Sequence, residues 1–295
     1  MTELDQEAAG VRAFWQGLGL PGLIDVHTHF LPPVIQRAVW AVFDNAGPKI
    51  GREWPIRYRG THEERVEQLR SFGVRHFPTL PYAHKPGVAA YLNGWARDFA
   101  DDVPESLWSA TFYPEPEAAA YVAELVTDGV AVFKVHVQVG EFDITDPLLD
   151  PVWGLLAESG TPVVVHAGSG PVGNAFTGPD PLRLVLDRHP RLVAIIAHMG
   201  APECAEFLAL AEAHERVYLD TTMVFTDFFY PYPPELLRRV AELQDRVLLG
   251  SDFPTIPYPY AHQLEGLAEL DLGDDWLRAV CWGNAVRLFG TGSGA

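Results

Sequence analysis

Apolar residues recur along the chain in short runs, with helical spacing between them. Strand-like runs fall at 23–29, 74–80, 107–113, 130–137, 162–167, 192–198, 217–221 and 246–252. Segments with apolar positions every three to four residues lie between or after them, at 62–72, 88–101, 116–127, 148–159, 179–188, 202–214, 234–244 and 260–270, with a last one near 275–289. Runs such as Pro162-Val163-Val164-Val165 and Leu192-Val193-Ala194-Ile195-Ile196 are apolar without alternation. Strands covered on both faces read this way, so the pattern predicts a parallel sheet sheathed by helices. Eight strand–helix alternations without a Gly-rich dinucleotide fingerprint favour an α/β fold of the closed (β/α)8 kind, a TIM barrel, over an open doubly wound sheet. Ahead of the first strand, Leu4, Ala8, Val11, Trp15 and Leu18 repeat at helical spacing and predict an amphipathic helix, broken by Pro21-Gly22. The expected organisation is a helical extension over 1–22, one barrel over 23–290, and a disordered tail over 291–295.

The longest stretch without a clear period runs from Phe30 to Thr61. It reads as a long loop after strand one, carrying Trp40, Phe43, Trp54 and Tyr58 among Arg37, Arg52, Arg57 and Arg59. Loops after barrel strands line the active-site face, so this one is a candidate lid. A loop packed on the surface with solvated arginines is the equal alternative for each residue. Arg52, Arg57, Arg59 and Trp54 are taken as substrate-binding candidates, together with Tyr82 and His84 after strand two and His136 at the end of strand four.

Composition narrows the class. The chain has 295 residues, 48% of them hydrophobic, which allows a sizeable core. Lys and Arg total 21 against 39 Asp and Glu, a net charge of −18. That argues against nucleic acid and anionic membranes as partners and leaves a small-molecule substrate. No apolar run approaches the roughly 20 residues of a membrane helix. The acidic start is unlike a secretory signal, so cytoplasmic residence is expected. Cys204 and Cys281 fit neither a redox pair nor a thiolate cluster and read as small buried residues.

The chemistry starts at Leu23-Ile24-Asp25-Val26-His27-Thr28-His29. Side chains at i and i+2 of a strand share a face, so His27 and His29 project together, as two imidazoles suited to a first-row metal. Two polar residues opening a loop would look the same. Further donors tip the balance: Lys134 and His136 end strand four, His166 strand five, His198 strand six and Asp252 strand eight. One histidine at a strand end is usually a hydrogen-bonded core residue, but this many donors at matching ends suit a catalytic metal site with an open position. His62, His189, His214 and His262 fall in or beside helices and read as solvated.

His27-Thr28-His29, His166, His198 and Gly250-Ser251-Asp252-Phe253-Pro254, followed by Gly283-Asn284-Ala285 and Arg287-Leu288-Phe289, resemble the amidohydrolase superfamily. The branch they are most similar to includes aminocarboxymuconate-semialdehyde decarboxylase. The resemblance implies that His27, His29, His166 and Asp252 ligate a single zinc, with His198 beside its water. Asp252 and His198 are then the catalytic residues. Lys134 joins the ligands only in a binuclear centre, where a strand-four lysine is carboxylated, and manganese is the alternative metal. The first reading is a metal-dependent hydrolase of an amide, ester or lactone. The second is a non-oxidative decarboxylase of a planar unsaturated or aromatic acid, for which the aromatic run Phe228-Phe229-Tyr230-Pro231-Tyr232-Pro233 offers flat contacts, or else the interface of a homodimer. A barrel that binds without turnover is the third.

Overall fold

The structure, a computed structural model, describes residues 2–228 and 231–291. Phe229 and Tyr230 of the aromatic run, and the tail beyond Thr291, lie outside the described residues. Nine strand segments follow in chain order: β1 (Leu23–Ile24), β2 (Val74–Pro78), β3 (Ser106–Leu107), β4 (Ser109–Thr111), β5 (Val132–His136), β6 (Val163–His166), β7 (Ala194–Ile196), β8 (Val217–Asp220) and β9 (Val247–Leu248). Every predicted run carries a strand; the one at 107–113 is broken into β3 and β4. Contacts cluster into two compact units, Met1–Phe77 with Thr221–Ala295, and Pro78–Asp220.

The first unit is made from both ends of the chain. Its helix Glu3–Gly17 opens on a capping box in which Thr2 and Asp5 exchange side-chain bonds with each other's backbone N–H. Ala8, Val11, Trp15 and Leu18 are buried as their spacing predicts, whereas Leu4 is exposed. The Trp15 indole donates to Phe72 O at 2.9 Å, tying this helix to the helix His62–Phe72. β1 pairs in parallel with β2, Leu23 opposite Val74. Past Ile24 the regular ladder ends. Val26 N–H donates to Leu249 O at 2.8 Å, and Thr28 bridges Phe253. The predicted strand over 23–29 is therefore short in its regular part. The register slips within it, and Asp25 takes the His27 N–H onto its own carboxylate at 3.1 Å.

The insertion after β1 is only partly loop. Pro33 starts a helix, Pro33–Asp44, where a proline at the first turn loses no hydrogen bond, and a short turn, Gly47–Ile50, follows. Ile35, Val39, Trp40 and Phe43 form a half-buried apolar stripe along the helix Pro33–Asp44, so helical spacing is present within a stretch that the sequence reads as loop. Gln36 is the helix's one buried residue.

The second unit carries five parallel strands in the order β4-β5-β6-β7-β8. The register runs Ser109 to Val132, Phe133 to Val163, Val163 to Ala194 and Ala194 to Val217. Helices Ala89–Asp102, Ala118–Thr127, Asp150–Ser159, Pro179–Arg188 and Cys204–Ala213 alternate with them. Val163, Val164 and Val165 are wholly buried, as an unbroken apolar strand requires. β7 stops at Ile196, two residues before its predicted end. The chain turns there through His198 and Met199, both left-handed (φ 53° and 47°).

Candidate metal centre and histidine cluster

In the first unit, two imidazoles converge on one carboxylate. His29 Nε2 lies 3.0 Å from Asp252 Oδ1, and His27 Nε2 lies 3.6 Å from the same oxygen. One ligand atom from each of the three residues falls within 4.8 Å of the other two. The His27 side chain is fully buried, while those of His29 and Asp252 keep a small exposed edge. The backbone fixes this arrangement. Asp252 holds a left-handed φ of 68°, an uncommon conformation for a non-glycine residue. Its N–H donates to His27 O at 2.8 Å, while His29 N–H donates to Phe253 O at 2.7 Å. The two segments are thus zipped together on either side of the site. Two imidazole nitrogens and a carboxylate oxygen, shielded from water, match the donor set of zinc or manganese.

Behind His27 stands a buried polar chain that the sequence reading missed. Asp25 Oδ1 accepts from His27 N–H, and Asp25 Oδ2 accepts from the Tyr260 hydroxyl at 3.0 Å. Tyr260 N–H donates to Glu7 Oε1 at 2.7 Å, and the Tyr58 hydroxyl donates to the same carboxylate. Burial raises both phenols well above their ordinary pKa, so each stays a protonated donor. The signal for Asp25 was present: a carboxylate inside an apolar run needs partners. Tyr260 and Glu7, more than two hundred residues apart, gave none.

The loop arginines have protein partners. Arg57 pairs with Glu3 at 2.7 Å and with Glu7 at 3.4 Å. Arg59 pairs with Asp44 and lies over the Trp40 ring. These two guanidiniums thus lie beside carboxylates of the same unit. Arg52 is exposed and lies 4.8 Å from the Phe228 ring centroid. Trp54 is buried, and its indole donates to Thr255 O at 2.6 Å.

The second unit holds its own cluster. His136 and His166 face each other in register on β5 and β6, their rings stacked at 3.9 Å and 14°. His198 lies 4.7 Å from His166. His166 Nε2 contacts Gly170 O at 3.2 Å. The left-handed turn at His198 is held by its N–H, which donates to Asp220 Oδ1 at 2.8 Å. Lys134 is fully buried on β5. Tyr82 is half-buried with its ring 5.3 Å from His136, and His84 is exposed. Outside these groups, His189, His214 and His262 each face an aspartate, Asp150, Asp187 and Asp227 respectively, rather than solvent alone. His62 is half-buried against Leu31 O. Both cysteines are buried.

A family model described as amidohydrolase matches residues 24–291. No curated protein matches the chain. Among solved structures, an uncharacterized TIM-barrel protein from Bordetella bronchiseptica is similar at a TM-score of 0.73 and 19% identity, covering 91% of this chain and 98% of its own. A 2,6-dihydroxybenzoate decarboxylase complexed with 2,6-dihydroxybenzoate gives 0.67 and 18%, over 92% and 100%. The 5-carboxyvanillate decarboxylase of Sphingomonas paucimobilis gives 0.64 and 18%, over 92% and 99%. Its counterpart from Novosphingobium aromaticivorans, complexed with manganese, gives 0.64 and 15%, over 92% and 97%. A probable 2-pyrone-4,6-dicarboxylic acid hydrolase from Acinetobacter baumannii gives 0.59 and 14%, over 91% and 99%. At such identities the likeness shows the fold, the TIM barrel expected from the eight alternations. No helix among the described residues is long and apolar enough to cross a membrane.

Proposed function

Because the chain belongs to the amidohydrolase family, an enzyme family, we propose that it is a metal-dependent carboxy-lyase acting on a planar unsaturated or aromatic carboxylic acid. The observation that carries the metal assignment is the convergence of His27 and His29 on Asp252 Oδ1. One ion, zinc or manganese, fits this three-residue group; His and carboxylate donors serve both metals. When bound, such an ion supplies Lewis acidity and lowers the pKa of a water from about 15.7 to about 7. The reaction is supported by the decarboxylases among the similar folds, which act on hydroxylated aromatic acids by their names.

In decarboxylation the bond from ring carbon to carboxylate carbon breaks, its electron pair stays on the ring carbon, and a proton must arrive there as carbon dioxide leaves. Asp252 is the residue proposed to carry that proton, since its turn holds the carboxylate at a fixed place between two imidazoles. His166 as a further ligand and His198 as a second proton donor rest on the family resemblance alone. Metal content of His166→Ala and the pH profile of His198→Gln test them separately.

Hydrolysis of a lactone is the second reading, favoured by the likeness to the probable pyrone hydrolase. Asp252 would then take a proton from the attacking water and return it to the leaving oxygen. The two chemistries separate on a panel of aromatic acids and pyrone carboxylates, assayed for released carbon dioxide and for ring-opened acid. His27→Ala and Asp252→Ala are expected to lose both metal and turnover. Full turnover in either metal-free variant would overturn the assignment.

A further inference from the structure

Arg65 is a buried cation without a buried anion. It lies on the helix His62–Phe72, is 3% exposed, and makes no ion pair among the described residues. Its Nε donates to Thr61 O at 3.1 Å and its NH1 to Gln36 Oε1 at 2.9 Å. The rings of Phe30 and Trp40 lie 5.4 and 5.3 Å from its central carbon. These are two neutral acceptors and two aromatic rings for a group that carries five donors and a full charge. Burial pulls the guanidinium pKa down to about 10, which still leaves it charged at neutral pH. Charged groups inside proteins are nearly always paired, because desolvation without a counter-charge is expensive.

Apart from exposed Glu63 on the same helix, whose charge acts on Arg65, the neighbours add donors rather than acceptors. Gln36 is 2% exposed, and its Nε2, the other end of the amide that holds Arg65, has no partner among the described residues. The indole Nε1 of Trp40, whose ring lies against Arg65, is also buried without one. Arg65, Gln36 and Trp40 therefore combine one positive charge with two unused N–H groups and no acidic side chain. We propose that Arg65, Gln36 and Trp40 form a binding site for a small carboxylate, seated under the helix Pro33–Asp44. A guanidinium edge offers parallel N–H donors that match a carboxylate's two oxygens. On the helix Pro33–Asp44, Val34 and Val42 face solvent, and the inner stripe of Ile35, Val39, Trp40 and Phe43 is only half-buried. Entry requires a small outward shift of that helix. This site does not depend on the metal assignment.

The test is acetate titration of the holoenzyme at constant ionic strength, read as melting temperature and as hydrogen exchange across 33–44. Phosphate and chloride serve as comparison anions, and His27→Ala, Gln36→Leu and Arg65→Met as variants. Saturable stabilisation by acetate is expected, with exchange slowed in 33–44. It should persist in His27→Ala and weaken at least tenfold in Gln36→Leu and in Arg65→Met. Gln36→Leu leaves the guanidinium in place and stands in if Arg65→Met does not fold. A flat titration, an equal response in Gln36→Leu, or a response that vanishes with His27→Ala would overturn the proposal. So would stabilisation by phosphate or chloride as strong as that by acetate, because the carboxylate preference would then be absent.

Discussion

Tyr260→Phe removes one oxygen atom and leaves everything else in place. The ring stays stacked on Phe72 at 5.0 Å and keeps its contact with Phe253. What is lost is the 3.0 Å bond to Asp25, a carboxylate with no exposure to water. A hydrogen bond to a charged acceptor contributes about 1.5–3 kcal/mol, and burial keeps water from replacing the donor. For a chain of this size that corresponds to a fall of roughly 3–6 °C in melting temperature. A second effect is expected on the metal that His27 is proposed to hold. Asp25 fixes the backbone N–H of His27, so a loosened carboxylate loosens a ligand; removing such supports typically weakens metal binding by about 10–100-fold, and the lower figure is expected for a contact one step further back. Calorimetric unfolding of the apoprotein and competition with a zinc chelator measure the two effects independently. Tyr91→Phe, at an exposed tyrosine, is the control. If Tyr260→Phe melted with wild type and held zinc equally well, the chain from Glu7 to His27 would have no part in placing the ligand.

Gly200 has φ of +73°, and a Cβ there would lie 2.0 Å from Phe207 Cδ2; Gly200→Ala should cost about 2–5 kcal/mol in urea unfolding, from left-handed strain plus overpacking. Burial raises the thiol pKa of Cys204 to about 11 and of Cys281 to about 12, so neither should react with Ellman's reagent at pH 8 until the protein is unfolded. His62 has its pKa lowered, first by burial and then by the charge of Arg65. The unfolded chain then binds the proton more readily, and stability is lost as pH falls through the ordinary histidine value near 6.5. His62→Gln should flatten the change in urea midpoint between pH 7.5 and 5.5; an unchanged slope would refute the argument.

The strands were legible because both their faces are apolar, and a run such as Val163-Val164-Val165 has few other uses. The group of His27, His29 and Asp252 was legible because two of its three members sit two residues apart and the third closes a short motif. Placement beyond that needed coordinates. Asp25 was visible as a charge in an apolar run, but its partner Tyr260 was not, because hydrogen bonds between distant segments leave no period. The helix Pro33–Asp44 is a different case: its apolar stripe of Ile35, Val39, Trp40 and Phe43 has helical spacing but is only half-buried, and prolines and arginines around it give the stretch the look of a loop. The acidic partners of Arg57 and Arg59, Glu3 and Asp44, could not be read from the sequence, because ion pairs across a loop leave no period. The turn at His198 ends its strand early through His198 and Met199, left-handed residues that are not glycine, with Gly200 as the one glycine behind them.

One unit is assembled from the first 77 and the last 75 residues of the chain, and the other from the continuous stretch in the middle. On a translating ribosome, the middle stretch has all of its own contacts to hand once Asp220 has emerged. The histidine pair in the first segment must wait, because Asp252 and Tyr260 are made only after that middle stretch. Until they arrive, two imidazoles alone would offer an ion only a loose grip, so capture of the proposed metal would follow the folding of the middle unit.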